Sequence, residues 1–445
     1  MAIEIVRTLR SRGHQAYLVG GCVRDLLLKR EPADYDVATD ATPPQVMEVF
    51  PETYAVGAQF GVVLVPDVPG STRDKGEHGG KTIVVEVATF RSDLGYSDGR
   101  HPDEVRFSKD PREDVLRRDF TINGLMLDPV SGEVLDFVGG REDLSSGIVR
   151  AIGEPEQRFA EDKLRMLRAV RFAARFGYRI DSPTFAAIGR LAPRIHQVSR
   201  ERVREELTKM LTEGRAKRSF ELLDESGLLD QVLPEISKMK GVEQPPEFHP
   251  EGDVFVHTLL LLEKLEAGGS KTLAWGALLH DIGKPPTFRI APDRIRFDGH
   301  VEVGVKMAAE ICRRLRFSNE ETDQILALVQ NHMRFADVRR MKESTLKKFL
   351  RLPGFEEHLE LHRIDCLSSN GITESYDYAR EKLGSMPPEQ IRPQPLLTGH
   401  DLIEAGYQPG PRFKEILDAV EDAQLEGRLG SRDAAMEYLR REFPR

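Results

Sequence analysis

Apolar and polar positions change rhythm about a third of the way along the chain. Over residues 1–140, short runs rich in β-branched and aromatic residues stand between turn signals. "AYLVGG" (16–21), "YDVAT" (35–39), "GVVLVPD" (61–67), "KTIVVEVATF" (81–90) and "INGLMLDP" (122–129) read as strands. The polar, glycine-rich "GSTRDKGEHGG" (70–80) between two of them reads as a hairpin loop. From about residue 150 strand signals nearly vanish and apolar residues recur at helical spacing. In "LRMLRAVRFAARFG" the stripe is Met166, Ala169, Val170 and Ala173; "VREELTKML", "SFELLDESGLL" and "FVHTLLLLEKL" repeat the pattern. Two proline-rich stretches, 236–253 and 384–401, interrupt the helical part. The pattern predicts an α+β chain: a mixed-sheet head over 1–145, a helical region over 146–240, a second all-α domain over 250–385, and a helical tail over 386–445.

Composition narrows the class without naming it. The chain has 445 residues, 40% hydrophobic and 31% charged, the profile of a well-cored globular protein of more than one domain. No apolar run approaches the ~20 residues that span a bilayer. The opening "MAIEIVRTLRSRG" is an amphipathic helix pattern without a signal peptide's apolar core. Cys22, Cys312 and Cys366 show no metal or redox pair spacing, so a cytoplasmic location is expected. The net charge of −9 disfavours indiscriminate nucleic-acid coating but leaves room for a local basic face. No obligate protein partner is evident.

The head's polar residues point to phosphate chemistry. Asp34 and Asp36 fall one residue apart, and on a strand they would share a face. Side by side they repel unless a cation intervenes, and such a pair suits Mg²⁺ held jointly with substrate phosphates. Upstream, "LVGGCVRDLL" reads as strand, Gly20-Gly21 turn and helix start, an arrangement that attracts phosphate, with Arg24 on the first turn. Solvated surface aspartates are the alternative for the pair alone. Glu86 is either a third carboxylate or an ordinary exposed strand residue. In "EDVLRRDFTINGLMLDP", Arg118 and Asp119 either pair on the surface or place a guanidinium fork on a ribose or phosphate oxygen. Seven basic residues fall between Arg158 and Arg179, more than the few nearby acids neutralise. Asp162–Arg165 and Arg165–Arg168 are read as i, i+3 helix neighbours, by default a solvated salt-bridge ladder; alternatively, an Asp and an Arg side by side present acceptor and donor to the edge of a base.

"GGCVRDLLLKREPADYDVAT" (20–39), "RRDFTIN" (117–123) and "EDKLRMLRAVRF" (161–172) together closely resemble the signature motifs of bacterial tRNA nucleotidyltransferases, the class II CCA-adding enzymes. Bacterial poly(A) polymerases share that head. The resemblance covers roughly residues 15–240 and implies a polymerase β-like nucleotidyltransferase head followed by an all-α, tRNA-binding body. It implies that Asp34 and Asp36 hold Mg²⁺, that Gly21 and Arg24 bind the triphosphate, and that Arg118 and Asp119 contact the sugar. Asp162 and Arg165 would pair with the base of CTP or ATP, supported by Arg168 and Arg171, with no nucleic acid template. "FRSDLGYSDGRHPDEVRF" (90–107) resembles the loop of members that add the terminal A, with His101 where a second arginine is usual. "YAVGAQFGVVLV" (54–65) stands where poly(A) polymerases carry a basic stretch. Poly(A) polymerase, or an enzyme adding only the A, are the alternatives. "GRAKRSF" (214–220) is either a tRNA contact or a solvated face.

A second constellation lies in the all-α part. His257, His280-Asp281, His300, His332 and Asp365 recur along predicted helices, and imidazole with carboxylate suits a divalent transition metal. A lone histidine would be an ordinary core residue. The order H…HD…H…H…D resembles the HD phosphohydrolase superfamily. That resemblance implies one metal on His257, His280, Asp281 and Asp365, with His300 and His332 serving a second metal or a phosphate. His249, His358 and His362 are assigned to structure.

Overall fold

The computed structural model describes residues 1–54, 60–66, 84–95, 104–247 and 249–444. The 70–80 loop, five residues of "YAVGAQFGVVLV" and residues 96–103 of the 90–107 loop, including His101, lie outside the described residues. The chain divides into two compact units, Met1–Met210 with Arg218–Pro234 and Leu211–Lys217 with Glu235–Arg445.

The first unit holds the sheet. Its strands are β1 (Ala16–Val19), β2 (Asp36–Thr39), β3 (Val62–Pro66), β4 (Val84–Thr89), β5 (Arg91–Leu94), β6 (Glu104–Phe107), β7 (Leu125–Leu127) and β8 (Val134–Asp136), with the two-residue strands Ile148–Val149 and Arg179–Ile180 paired apart from them. Six form one sheet in the order β3-β4-β2-β1-β7-β8, while β5 and β6 pair separately. The sheet is mixed because β2 runs parallel to β4 and every other pairing is antiparallel. All five expected strand runs appear. The ribbon β5–β6 and the three-residue β8 escaped the pattern, since polar or very short strands carry no apolar alternation. Val19, Ala38, Phe90, Val115 and Met126 pack as a core against the sheet.

Two sequence expectations shift. β2 begins at Asp36, and Asp34 lies in the bend before it, so strand alternation does not place that pair. The helix Leu164–Phe176 buries Met166, Ala169, Val170 and Ala173 as predicted, but Asp162 precedes it in extended backbone. Asp162 and Arg165 are therefore not helical i, i+3 neighbours.

The second unit is helical apart from the two-residue strands Arg289–Ile290 and Ile295–Arg296. Its last segment packs its own cluster, including Leu402, Ile416, Val420 and Leu439. No helix among the described residues is long and apolar enough to cross a membrane.

Candidate active site and metal-ligating cluster

In the first unit, Gly20 closes β1 with φ of 73°, a left-handed turn that suits glycine. Its missing side chain matters too. A Cβ there would sit 3.1 Å from Arg118 Nη1 and 3.8 Å from Asp36 Oδ2, so the turn leaves room for both. The parallel register sets Asp36 opposite Glu86. Burial, then Glu86, then Asp34 push the Asp36 carboxyl up to about 6, against the pull of Arg118. Glu86 thus acts electrostatically on Asp36 while remaining an exposed strand residue itself. Negative charge is concentrated where a cation would relieve it.

The residues that the resemblance assigns to Mg²⁺ and the nucleotide line one cavity of about 550 Å³: Gly21, Arg24, Asp34, Asp36, Arg118, Asp119, Asp162, Arg165, Arg168 and Arg171; Glu86 is not among its lining residues. The partnerships differ from those expected. Arg118 is held by Asp114, not oriented by Asp119; its Nε and Nη2 donate to Asp114 Oδ2 at 3.2 and 2.9 Å. Asp119 instead accepts Arg168 through two bonds of 2.9 and 2.6 Å, together with Asn123 at 3.0 Å. Burial opposes its charge, but Arg168 and Asn123 hold its carboxyl down at about 2. Asn123 also accepts from buried Arg24 at 2.6 Å, so a continuous polar chain runs Arg24–Asn123–Asp119–Arg168. Asp162 accepts both terminal nitrogens of Arg202, at 3.2 and 2.8 Å. Arg165 donates to Glu161 and to the carbonyls of Arg158 and Arg117. Buried Arg171 pairs with Glu206 at 2.7 Å.

Asp114, Asn123 and Arg202 were not anticipated. Asp114 and Asn123 fall inside or beside the quoted motif, so their position was the available signal; Arg202 had none. In "GRAKRSF", Lys217 pairs with Glu263 and Arg218 with Glu221 and Glu225, which favours the solvated face for these two.

The histidines converge in the second unit. His257 comes from the helix Val254–Glu263 and Asp365 from Phe355–Ser368; His280 and His332 follow helix ends, and His300 begins one. Ligand atoms of His257, His280 and Asp365 lie within 4.8 Å of one another, as do those of Asp281, His300 and His332. Asp281 faces both groups: Oδ2 is 3.1 Å from His280 Nε2, and Oδ1 is 3.6 Å from His332 Nε2 and 3.8 Å from His300 Nε2. It bridges them and does not belong to the first group alone. Nδ1 of His280, His300 and His332 bonds a carbonyl three residues back, at 2.9, 3.0 and 2.7 Å. A carbonyl only accepts, so each Nδ1 carries a proton and each Nε2 is left to face inward. The Nε2 atoms of His257, His280, His300 and His332 are buried and lack a hydrogen-bond partner. Four imidazole Nε2 atoms and the carboxylates of Asp281 and Asp365 thus converge, and this donor set fits a divalent metal. Burial opposes charge on His257, yet Asp365 and Glu251 hold its imidazole up to about 9. His249, assigned to structure, bonds Glu251 at 2.9 Å beside this cluster.

Gly283, two residues after Asp281, explains how the groups meet. Its φ is −82°, so conformation does not demand glycine. Space does: a Cβ would overlap the His300 carbonyl and come within 2.7 Å of Gly304 N. Gly283→Ala should push the helix His300–Arg314 away, cost about 1–3 kcal/mol in denaturant unfolding, and weaken metal binding. Parental stability with full metal content would contradict this.

A mixed sheet bearing neighbouring acids beside a glycine turn, joined to a histidine–aspartate bundle, defines the class: a nucleotidyltransferase head with an HD domain. Family models agree in order. Residues 16–150 match the poly A polymerase head domain, 177–240 a probable RNA and SrmB-binding site of polymerase A, and 254–364 the HD domain. The CCA-adding enzyme of Geobacillus thermodenitrificans is 41% identical over 430 residues, 96% of this chain and 93% of that protein. That of Geobacillus stearothermophilus is 32% identical over 430 residues, with the same shares covered. The crystal structure of the Bacillus stearothermophilus CCA-adding enzyme in complex with CTP matches with TM-score 0.73 and 28% identity, over 99% of this chain and 97% of that one. The chain belongs to the CCA-adding enzyme family.

Proposed function

We propose that this chain adds CCA to tRNA 3′ ends from CTP and ATP, releasing pyrophosphate, and selects each nucleotide with its own side chains. The observation that carries this is the single cavity in which the acids Asp34 and Asp36, the glycine turn and the pair Asp162 and Arg165 face one another. The tRNA 3′-hydroxyl oxygen forms the new bond to the α-phosphorus as the bond to the β-phosphate breaks. Asp34 and Asp36 would hold Mg²⁺, which stabilises charge on the transferring phosphate. Gly21 and Arg24 receive the triphosphate, and Arg118 and Asp119 hold the sugar end. Asp162 and Arg165 offer acceptor and donor to the base, with Arg168 and Arg171 bracing them. In the second unit His257, His280, Asp281, Asp365, His300 and His332 would hold divalent transition metal in a phosphohydrolase-like module. The segments 1–145, 146–240, 250–385 and 386–445 are our division of labour: transfer, nucleotide selection with tRNA binding, HD chemistry and tail. We place the work in the cytoplasm, where the separate thiols of Cys22, Cys312 and Cys366 stay reduced.

The decisive assay gives tRNA lacking its 3′ end each labelled triphosphate, alone and mixed. CTP alone should add the CC and stop; ATP should add only to ends already carrying CC. Failure to use CTP would leave the poly(A) polymerase or the A-adding alternative.

A further inference from the structure

We infer that Asp114 is a positioning residue for nucleotide transfer, one carboxylate that aims Arg118 at the acid pair and fixes the carbonyl that steers Arg165. It rests on the reading of the head given above.

The geometry is a double clamp. Asp114 lies in the short helix Pro111–Leu116 with its side chain fully shielded from solvent. Oδ1 accepts Nε and Nη2 of Arg117 at 3.0 and 2.6 Å. Oδ2 accepts the same two nitrogens of Arg118 at 3.2 and 2.9 Å. A guanidinium gripped through Nε and one Nη has no remaining freedom to swing, and its other Nη points along a fixed line. For Arg118 that line leads to the cleft, where Nη1 is 3.1 Å from the position a Cβ on Gly20 would take. Asp36 Oδ2 is 3.8 Å from the same position. The clamp thus sets one cationic nitrogen against the glycine turn that Asp36 also borders, near enough for Arg118 to pull on the Asp36 charge.

The second arm reaches Arg165, another residue that lines the cavity. Arg117 is anchored by its side chain, and its backbone carbonyl accepts Arg165 Nη2 at 3.1 Å. Movement of the 117–118 peptide would move the residue that reads the base. Burial would raise the Asp114 carboxyl, but Arg118 and Arg117 hold it below the usual carboxylate range, so the clamp is charged at working pH. A buried acid needed only for folding would require one good partner. This one holds two consecutive arginines and directs both toward the same cavity.

Asp114→Asn keeps one acceptor oxygen for two guanidiniums, so one of them must release. The expected result is a fall in kcat/KM on the order of 10–100-fold for both CTP and ATP. The same substitution placed in an Arg118→Ala background should cost only about twofold more, because the one remaining acceptor oxygen then serves Arg117 alone and no second guanidinium has to release. Parental kcat/KM in Asp114→Asn, or a loss in the double variant equal to the product of the single losses, would overturn the inference. If Asp114→Asn does not fold, Asp114→Glu keeps the charge on a longer arm and must show the same non-additivity. Incorporation by the unaltered chain tests the reading of the head; the ratio of variant to parent tests the clamp.

Discussion

Asp36→Asn is expected to lower CTP and ATP incorporation by on the order of 10³-fold or more, the scale of losing a group that stabilises developing charge. The loss should not come from unfolding. Asp36 is an uncomfortable carboxylate: burial, Glu86 and Asp34 raise it to about 6 from an ordinary value of 3.8. A carboxyl raised on folding binds its proton more tightly in the native state, so stability is lost as pH climbs from about 3.8 through 6. The amide escapes that loss. Without divalent ions, thermal unfolding should therefore show Asp36→Asn gaining on the parent as pH rises from 3.8 through about 6. Added Mg²⁺ should restore the parent and leave the variant unmoved. Retained transfer would remove Asp36 from the catalytic role. Parallel stability curves would remove the electrostatic account.

The second large effect concerns Asp281. Asp281→Asn should strip divalent metal from the second unit, measured as metal per chain after gel filtration, while tRNA end addition persists. Its carboxylate faces His280, His300 and His332 and also pairs with Lys284 at 2.6 Å. Lys284 is buried, its other partner being Gln244 at 2.7 Å. Breaking a buried ion pair from one side strands a charge, so unfolding free energy should fall by about 3–5 kcal/mol. His280→Ala separates the two consequences: it removes a ligand without stranding Lys284, and should lose metal at a smaller stability cost. Full metal content in both variants would dismiss the cluster as a metal site.

The sequence carried the expected chemistry well and its partnerships poorly, for one reason. Residue types tied to a reaction cluster in short segments, because a strand, a turn and a helix start place neighbours together without help from distant chain. Gly20, Gly21, Asp34 and Asp36 were legible on that basis, as was the buried stripe of Leu164–Phe176. Counting charges along a segment failed, since basic residues between 158 and 179 find acids far away: Arg168 takes Asp119 and Arg171 takes Glu206. Arg202 reaches Asp162 across 40 positions in the same manner.

Local pattern by itself determined the five apolar strand runs and the buried stripe of Leu164–Phe176, and marked Gly20, Gly21, Arg24 and the aspartates as suited to phosphate and cation, since those properties follow from side-chain type and period. Only tertiary packing decided which carboxylate holds which guanidinium, that Asp281 bridges two histidine groups, and that Gly283 is small for space and not for φ. Such choices depend on distances between residues remote in sequence, and nothing in a one-dimensional order of residues encodes a distance until the backbone has closed.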